Sequence, residues 1–342
     1  MKIFFLGSNF VENLKLNNIM KAVYCTKYGG PEVLKIKEIE KPIVKKGEVL
    51  VKVVAASVTA AETMMRTGTP RYARLFFGLS KPKNPLVGTG FSGVVVELGD
   101  AIQDYQIGDE VYGETGLSFG SNAEFISVSE KEIIAKKPTT ISFEEAAPVC
   151  DGALTSLNFL RDIANVKKGQ KVLIIGASGS LGTSAIQMAK NYGALVTGIC
   201  SSSNVNLVNS LGADKVIDYT KVDFRKNGEK YDVIYDTIGV SSYSKCKKSL
   251  TSNGQYLSPV LSLGLLWNVI ISNFLKKKAK FSATGLRPAK ELQVMLEELS
   301  VLFESKQLKM VIDKEFLLYE IREAHSYVDS GRKKGNIVLK IG

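Results

Sequence analysis

The sequence has little histidine and little cysteine, with one His and four Cys among its 342 residues. Because His325 is the only imidazole, sites built from several histidines are excluded. The cysteines are widely spaced and form no CxxC pair, which argues against a disulfide framework and against a cysteine-rich zinc site. We interpret them as reduced thiols of a cytoplasmic protein. They are Cys25, Cys150, Cys200 and Cys246.

Long apolar runs are also missing. The longest apolar stretch, from Leu257 to Leu275, is interrupted by serines, asparagines, a proline and a glycine, so it is a poor candidate for a membrane-spanning helix. The start, MKIFFLGSNF, has a short apolar run that turns polar and shows no small-residue cleavage site. We interpret residues 1–20 as a poorly ordered leader that precedes a second possible start at Met20.

Negative charge is in deficit, since 45 Lys and Arg stand against 34 Asp and Glu and leave a formal net charge of +11. Such an excess favours acidic partners, for example phosphorylated cofactors, RNA or anionic lipid. The cations are spread along the chain, however, and lack the aromatic-basic interleaving of RNA-binding modules, so no specific nucleic-acid partner is predicted. The composition, with 45% apolar and 23% charged residues, is that of a globular protein.

The texture of the chain changes near residue 142. From Lys21 to about Ala135, short β-branched runs broken by Gly and Pro predict a compact, mostly-β unit of Greek-key or barrel character. Ser142 and Glu145 then form a capping box, and strands alternate with helices from there on. Alternation of this kind predicts an α/β fold with a doubly wound parallel sheet. We place the β-rich domain at residues 21–145 with 290–342, and an inserted nucleotide-binding domain at 146–289.

A glycine-rich turn carries the strongest functional motif. In GASGSLG, Gly176, Gly179 and Gly182 stand between the apolar strand KVLII and an amphipathic helix, which is the context of a dinucleotide-binding fingerprint. Gly179 allows the backbone to approach a pyrophosphate, and Gly182 allows close packing of helix and strand. The amides of Ser180, Leu181 and Gly182 point at the anion from the helix N-terminus.

The next strand, LVTGIC, leads into a serine-rich turn. The fingerprint usually has a carboxylate there that binds the adenosine ribose, but this chain has Ser201, Ser202, Ser203 and Asn204. NADP(H) is therefore favoured over NAD(H), with cations for the 2′-phosphate available from Lys215, Lys221, Arg332 or Lys334, and with Tyr219 to cover the adenine. The residues predicted to bind the dinucleotide are Gly176, Ser178, Gly179, Ser180, Leu181, Gly182, Ser201, Ser202, Asn204, Tyr219, Ile238 and Lys334.

Further blocks of sequence extend over nearly the whole chain from Lys21: KAVYCTKYGGPEVLKIKEIEKP, VTAAETMMRTG, GDEVYGETGLSFGSNAEF, DGALTSLNFL, SLGADKVIDY and GNIVLKIG. In this order they resemble the medium-chain dehydrogenase/reductase superfamily, in its zinc-free quinone reductase branch. The resemblance implies a GroES-like catalytic domain interrupted by a Rossmann domain. It also implies hydride transfer from NADPH to a quinone or an α,β-unsaturated carbonyl.

The chain departs from zinc-dependent members of that superfamily at the metal positions. The resemblance places ligands at Thr59, at the pair Thr89-Gly90 and near Cys150, and hydroxyls or glycine occupy most of them. We therefore expect no catalytic zinc. Without a metal ion to polarise the alcohol oxygen and lower its pKa, reversible alcohol oxidation is disfavoured. A hydride acceptor that is already electrophilic is favoured instead.

The resemblance also implies catalytic candidates. Thr59 lies where relatives bind the cofactor ribose or the substrate oxygen, and Thr155 lies near the nicotinamide. Arg66 and Tyr72 are candidates for stabilising negative charge or donating a proton. Glu62 is interpreted as a structural partner of Arg66, and His325 as a structural residue.

The sequence leaves alternatives open for the role of residues 261–280 and for the activity. Residues 261–280 join an apolar body to a lysine-rich end, which favours a homodimer element or a pocket lid, with a weak peripheral membrane contact as the alternative. The alternative activities are those of an NAD(P)-dependent alcohol/aldehyde reductase or of an enoyl-thioester reductase. A low-turnover nucleotide-binding protein that contacts RNA is the alternative of another class.

Overall fold

The computed structural model describes residues 18–341, apart from the side chain of Phe76. Residues 1–17 of the expected leader lie outside this range, whereas Ile19 and Met20 belong to the first strand. The chain divides into two compact units. The first contains residues 18–137, Lys314–Arg332 and 337–341, and the second contains Pro138–Asp313 and Lys333–Asn336.

The strands are numbered in chain order. They are β1 Ile19–Cys25, β2 Leu34–Glu40, β3 Glu48–Val58, β4 Gly90–Leu98, β5 Glu110–Glu114, β6 Phe125–Ser129, β7 Ile133–Lys136, β8 Lys171–Ile175, β9 Leu195–Cys200, β10 Lys215–Asp218, β11 Tyr231–Asp236, β12 Leu250–Ser258, β13 Lys278–Phe281, β14 Ile312–Leu317 and β15 Asn336–Lys340. The α-helices are α1 Ala60–Thr67, α2 Arg74–Phe77, α3 Phe143–Ala146, α4 Thr155–Leu157, α5 Ser180–Asn191, α6 Val205–Ser210, α7 Tyr243–Cys246, α8 Leu263–Ser272, α9 Ala289–Glu304 and α10 Ile321–Asp329.

The first unit is built from β-sheets. Strands β1 and β2 form an antiparallel pair, and a second sheet has the order β14-β15-β3-β4-β5-β7, with β6 also paired to β3. The long strand β3 is buried along most of its length because it has neighbours on both sides. Valines of this strand form a core with Phe91, Val111 and Ile337. The expectation of a compact, mostly-β unit is confirmed.

The second unit contains a six-stranded parallel sheet in the order β10-β9-β8-β11-β12-β13. This order is that of a doubly wound nucleotide-binding fold, which confirms the predicted α/β class. The strands are short apolar runs, as expected where helices cover both faces of a sheet. The predicted capping box is also present, since Ser142 Oγ accepts from Glu145 N at 3.2 Å and Glu145 Oε2 accepts from Ser142 N at 3.0 Å.

Residues 290–313, which we expected in the β-rich domain, lie in the second unit. The reason is the apolar face of α9, whose buried residues are Leu292, Met295, Leu296, Leu299 and Phe303. Polar contacts hold the same helix within this unit, because Glu298 pairs with Arg161 and Glu304 Oε1 accepts from Thr139 N at 2.7 Å. Residues 138–145, also expected in the β-rich domain, belong to the second unit as well.

The interrupted apolar stretch from Leu257 to Leu275 covers the end of β12 and helix α8 in the second unit, and strand β13 follows it. These three elements form a βαβ crossover, since β12 and β13 pair in parallel. Among residues 18–341, no helix has both the length and the apolar character needed to cross a bilayer.

Helices α1 and α10 of the first unit share a buried polar cluster. Arg66 donates from Nη1 to the Gly29 carbonyl oxygen at 2.8 Å and from Nη2 to Asp329 Oδ2 at 2.5 Å. His325 is completely buried, and its Nε2 lies 3.8 Å from Glu62 Oε2. Burial, and then the Arg66 guanidinium, lower the pKa of His325 to about 3. The folded protein therefore holds this imidazole neutral.

We expect His325 to make the protein acid-sensitive. Its pKa rises from about 3 in the folded state to about 6.5 on unfolding. Below pH 6.5 the unfolded chain therefore binds a proton that the folded chain does not, and stability falls as the pH is lowered toward 3. Between pH 7 and 4.5, urea unfolding should show a loss of about 2–3 kcal/mol that His325→Leu and His325→Gln lack. Parallel pH profiles for wild type and both variants would contradict this expectation.

Candidate functional site

The glycine turn of the second unit lies between β8 and α5, as the motif predicts. Gly176 has φ +76°, in the left-handed region that favours glycine. A Cβ on Gly182 would lie 2.2 Å from the Gly176 carbonyl oxygen, so the first turn of α5 and the glycine turn are in close contact. At Gly179 a Cβ would meet only the Gly176 oxygen, at 3.4 Å, which leaves the space before the helix open.

The N-terminus of α5 provides an anion site at this opening. Gly179 is the N-cap and has no side chain to satisfy the amides of the first turn. The amides of Ser180, Leu181 and Gly182 are therefore available to a ligand, and the helix dipole favours a negative one. A pyrophosphate fits this arrangement, because it needs both close approach of the backbone and several converging N–H donors.

The C-terminal segment 333–336 supports the turn. Gly335 N donates to the Ser178 carbonyl oxygen at 2.8 Å, and Gly335 pairs with Gly179 in a parallel bridge. Ser180 Oγ lies 2.8 Å from Asp151 Oδ2 and 2.5 Å from Asn336 Oδ1. A hydroxyl carries one hydrogen, so it donates to one of these acceptors at a time. Neither acceptor was among the residues predicted from the sequence.

Lys334, one of the predicted cofactor ligands, lies in the same segment. Its backbone N donates to Asp313 Oδ2 at 2.9 Å, and the residue is half-buried. The adjacent Lys333 donates from Nζ to the Gly335 carbonyl oxygen at 2.8 Å. Burial lowers the pKa of Lys333, against the attraction of Asp151 and Asp313.

The turn after β9 contains the residues predicted to face the adenosine ribose. Asn204 Nδ2 donates to Ser178 Oγ at 2.9 Å, which ties this turn to the glycine turn. The hydroxyls of Ser201 and Ser203 lie 3.2 Å apart. Tyr219, at the end of the neighbouring strand, is 63% exposed. The structure thus brings together side chains from both turns, as the nucleotide-binding motif requires.

The structure adds a carboxylate beside this turn. Residues 201–204 contain none, as the sequence analysis noted, but Ser202 Oγ donates a hydrogen bond to Asp218 Oδ2. Strand β10 pairs in parallel with β9 so that Asp218 stands opposite Cys200, the last residue of β9. The carboxylate comes from the adjacent strand, so a search restricted to the end of the second strand does not find it.

The candidate cations for a 2′-phosphate differ in their surroundings. Lys215 Nζ pairs with Glu229 Oε1 at 2.5 Å, which makes it part of a separate ion pair. Lys221 Nζ lies 3.6 Å from Asp218 Oδ2, and its side chain is 73% exposed. Arg332 is exposed and belongs to the first unit. Lys221 is therefore the predicted cation that lies beside the serine-rich turn.

A buried carboxylate organises the loop that follows β11. Asp236 Oδ1 accepts from Gly239 N at 2.8 Å, and Oδ2 accepts from Ser241 N at 2.7 Å and from the Tyr256 hydroxyl at 2.9 Å. The loop holds Ile238, whose Cγ2 would be 3.0 Å from a Cβ on Gly176. Ile238 thus packs over the glycine turn. We did not identify Asp236 from the sequence, because nothing in YDVIYDTIG marks its carboxylate as buried.

Thr155 lies in a helical stretch that runs on from α3 with π-helical segments at Cys150–Leu154 and Asn158–Ile163. Its Oγ1 donates to the Cys150 carbonyl oxygen at 3.3 Å, and the residue is half-buried. A hydroxyl that donates in this way keeps its oxygen as an acceptor.

The remaining catalytic candidates belong to the first unit. Thr59 is the N-cap of α1, and its Oγ1 accepts from Glu62 N at 3.2 Å. Tyr72 is half-buried in the 3₁₀ turn Arg71–Ala73. Arg66 pairs with Asp329, a partner that was not expected from the sequence. The guanidinium is buried and neutralised by a carboxylate, an arrangement that suits a structural role, and the catalytic role of Arg66 stays a prediction.

The positions expected to lack zinc ligands have other contacts. Thr89 is buried, and its carbonyl oxygen accepts from Thr115 N at 2.9 Å. Gly90 begins strand β4, and Cys150 is a buried thiol. Over the range 18–341, no three His, Cys, Asp or Glu side chains group closely enough to hold a metal ion.

Comparison with known proteins identifies the family. A family model described as alcohol dehydrogenase GroES-like domain matches residues 45–139, and one described as zinc-binding dehydrogenase matches residues 211–339. The chain is 32% identical over 339 residues to 2-methylene-furan-3-one reductase of Solanum lycopersicum, covering 96% of this chain and 80% of the relative. It is 31% identical over 349 residues to a chloroplastic NADPH-dependent alkenal/one oxidoreductase of Arabidopsis thaliana, covering 97% and 82%.

A solved structure supports the same assignment. The quinone oxidoreductase from Coxiella burnetii superposes with a TM-score of 0.85 at 29% identity, over 95% of this chain and all of the other. The GroES-like and Rossmann architecture expected from the sequence is confirmed. The chain belongs to the medium-chain dehydrogenase/reductase superfamily, in its quinone oxidoreductase branch.

Proposed function

We propose that the protein is an NADP(H)-dependent, zinc-independent oxidoreductase that transfers hydride to a quinone or an α,β-unsaturated carbonyl. The observation that carries this proposal is the open anion site formed by Gly176, Gly179 and the N-terminus of α5. Two relatives support it, a 2-methylene-furan-3-one reductase and an NADPH-dependent alkenal/one oxidoreductase.

The chain's own residues divide the work of holding the cofactor. The α5 amides bind the pyrophosphate, and the Ser178–Asn204 hydrogen bond keeps the glycine turn and the serine-rich turn together. Asp236 fixes the loop that positions Ile238. When bound, NADPH supplies the hydride, and the protein contributes placement of the reacting atoms. We propose that Thr155 Oγ1 would accept a hydrogen bond from the carboxamide of the nicotinamide.

The substrate gains negative charge on its oxygen as it accepts the hydride, and a hydrogen-bond donor is needed to stabilise that charge. Thr59 uses its oxygen to cap α1, and its hydroxyl hydrogen stays available for the oxyanion. Tyr72 remains the proposed proton donor. Thr59 and Thr89 supply hydroxyls where a zinc site would need thiolate or imidazole, which supports a reaction without a Lewis acid. The four free, buried cysteines support the proposal of a cytoplasmic protein.

We also propose that the protein forms a homodimer through helix α8 and strand β13. Within the described part of the chain, β13 is the edge of the six-stranded sheet. Leu263, Trp267, Ile270 and Phe274 follow one another at helical spacing and are 80%, 64%, 57% and 88% exposed. An apolar stripe beside an open sheet edge is typical of a surface that pairs with another copy.

A membrane contact through residues 261–280 is the alternative for this surface. The lysines at its end are partly engaged in the fold. Lys277 Nζ donates to the carbonyl oxygens of Lys247 and Leu250 at 2.8 Å each, and Lys278 Nζ donates to the Asn273 carbonyl oxygen at 3.0 Å. Ammonium groups held by backbone carbonyls are less available to lipid headgroups, which favours the second copy.

The dinucleotide site is tested by Gly182→Ala. Because the added Cβ would lie 2.2 Å from the Gly176 carbonyl oxygen, the turn must shift. We expect NADP⁺ affinity to fall by about tenfold or more and the stability to fall by about 1–3 kcal/mol. Isothermal titration calorimetry and thermal melting measure these effects. Gly285→Ala is the matched control, since a Cβ there meets nothing within 4 Å and the residue lies outside the surface proposed for the dimer. Equal affinities for the two variants would contradict the assignment.

The reaction is tested by following NADPH oxidation with a naphthoquinone and with an alkenal. We expect turnover of at least one acceptor, at a rate that prior treatment with a chelator leaves unchanged. Activity that disappears on chelation and returns with Zn²⁺ would instead support an alcohol dehydrogenase.

The dimer is tested by light scattering after size-exclusion chromatography. We expect wild type at twice the 37.3 kDa of one chain. Trp267→Glu with Phe274→Glu should give monomers, because the substitutions place charge on the exposed stripe that the dimer would bury. Val301→Glu is the control, since Val301 is an exposed apolar residue elsewhere in the same unit. A monomeric wild type that sediments with anionic vesicles at low salt would overturn the dimer in favour of the membrane contact.

A further inference from the structure

Asp218 lies at the same height along the sheet as the position where the nucleotide-binding fold usually binds the adenosine ribose. In that fold an acidic residue near the end of the second strand accepts from the ribose 2′-hydroxyl. Here the second strand, β9, ends at Cys200, and the parallel register sets Asp218 directly opposite. Asp218 is therefore displaced sideways by one strand and not along the strand direction. Its carboxylate meets the serine-rich turn through the hydrogen bond from Ser202.

The contacts of Asp218 hold it as an anion in one orientation. Oδ1 accepts from Thr220 Oγ1 at 2.7 Å and from Thr220 N at 3.0 Å, while Oδ2 accepts from Ser202. The hydrogen bonds from Ser202 and then Thr220 lower the pKa of Asp218 to about 2. The carboxylate is thus charged at neutral pH. Its side chain is 12% exposed, so the carboxylate is held in the turn.

One described cation lies close enough to balance this charge. Lys221 Nζ is 3.6 Å from Asp218 Oδ2, but its side chain is 73% exposed and no tighter contact fixes it. Lys215 pairs with Glu229 instead. The serine-rich turn therefore presents one fixed negative charge and one movable positive charge to an incoming ribose.

These charges have opposite effects on the two nucleotides. A ribose 2′-hydroxyl has a hydrogen to donate to a carboxylate, whereas a 2′-phosphate carries close to two negative charges and has only acceptors to offer at neutral pH. Lys221 attracts the phosphate and Asp218 repels it. Both effects are moderated by solvent at this exposed turn.

We propose that Asp218 is the specificity-determining residue of the adenosine site, and that it limits the preference for NADP(H) so that NAD(H) is also bound. This inference rests on the proposed function, because it takes the glycine turn to be the dinucleotide site. It refines the preference deduced from the serine-rich turn alone, in which no carboxylate was expected.

The test compares direct binding of NADP⁺ and NAD⁺ by isothermal titration calorimetry. For wild type we expect dissociation constants within about tenfold of one another. Asp218→Asn keeps the size of the side chain and removes the charge, so the affinity ratio should shift by about tenfold toward NADP⁺. Asp218→Ser should shift it in the same direction. Lys221→Gln should shift it toward NAD⁺.

Two controls separate the effect from general changes. Asp223→Asn removes the same charge from a nearby carboxylate that pairs with Arg225, and it should leave the ratio unchanged. Adenosine 2′,5′-bisphosphate and adenosine 5′-monophosphate should repeat the pattern, which removes any contribution of the nicotinamide. Thermal melting checks that each variant is folded.

The outcomes distinguish the two proposals. If the nucleotides bind but both Asp218 variants keep the wild-type ratio, the role of Asp218 is overturned and the dinucleotide site stands. A wild type that prefers NADP⁺ by more than about a hundredfold would overturn it as well. If neither the wild type nor any variant binds either dinucleotide, the proposed function fails, and this inference fails with it.

Discussion

The proposed dinucleotide site depends on the parallel register of four strands. Ile175, the last residue of β8, stands opposite Ile199 of β9 on one side and Asp236 of β11 on the other, while Cys200 stands opposite Asp218 of β10. Since parallel strands end at a common edge, the segments that follow them meet there. The glycine turn, the serine-rich turn and the Asp236 loop are thereby assembled from residues far apart in the chain.

Two carboxylates at this edge have different tasks because their surroundings differ. Asp236 is completely buried and satisfied by backbone amides and the Tyr256 hydroxyl, so its charge is used to hold a loop. Burial, and then Asp236, raise the pKa of the Tyr256 hydroxyl far above its ordinary value, which keeps it a donor. Asp218 lies at an exposed turn, where its charge can act on a ligand.

The first unit shows how residue types suited to catalysis also serve the fold. Arg66 was expected to stabilise negative charge in the reaction, but it is buried between Gly29 and Asp329. Removing one partner of such a pair would leave an uncompensated buried charge, which is why the pair is a structural constraint. Thr59 was expected to bind the cofactor ribose or the substrate oxygen. In the structure its side-chain oxygen caps α1, a contact that the sequence TAAE is well suited to form.

Much of the fold and part of the site follow from local sequence. The alternation of strands and helices, the Ser142 capping box and the glycine spacing all act within a few residues, so their physical consequences are readable along the chain. They determined the doubly wound sheet, the candidate anion site at α5 and the family. What tertiary structure alone decided was which distant groups meet: Asp218 with Ser202, Arg66 with Asp329, and Asn336 with Ser180. These contacts depend on strand register and on the packing of helices and strands within each unit, and no local pattern encodes either.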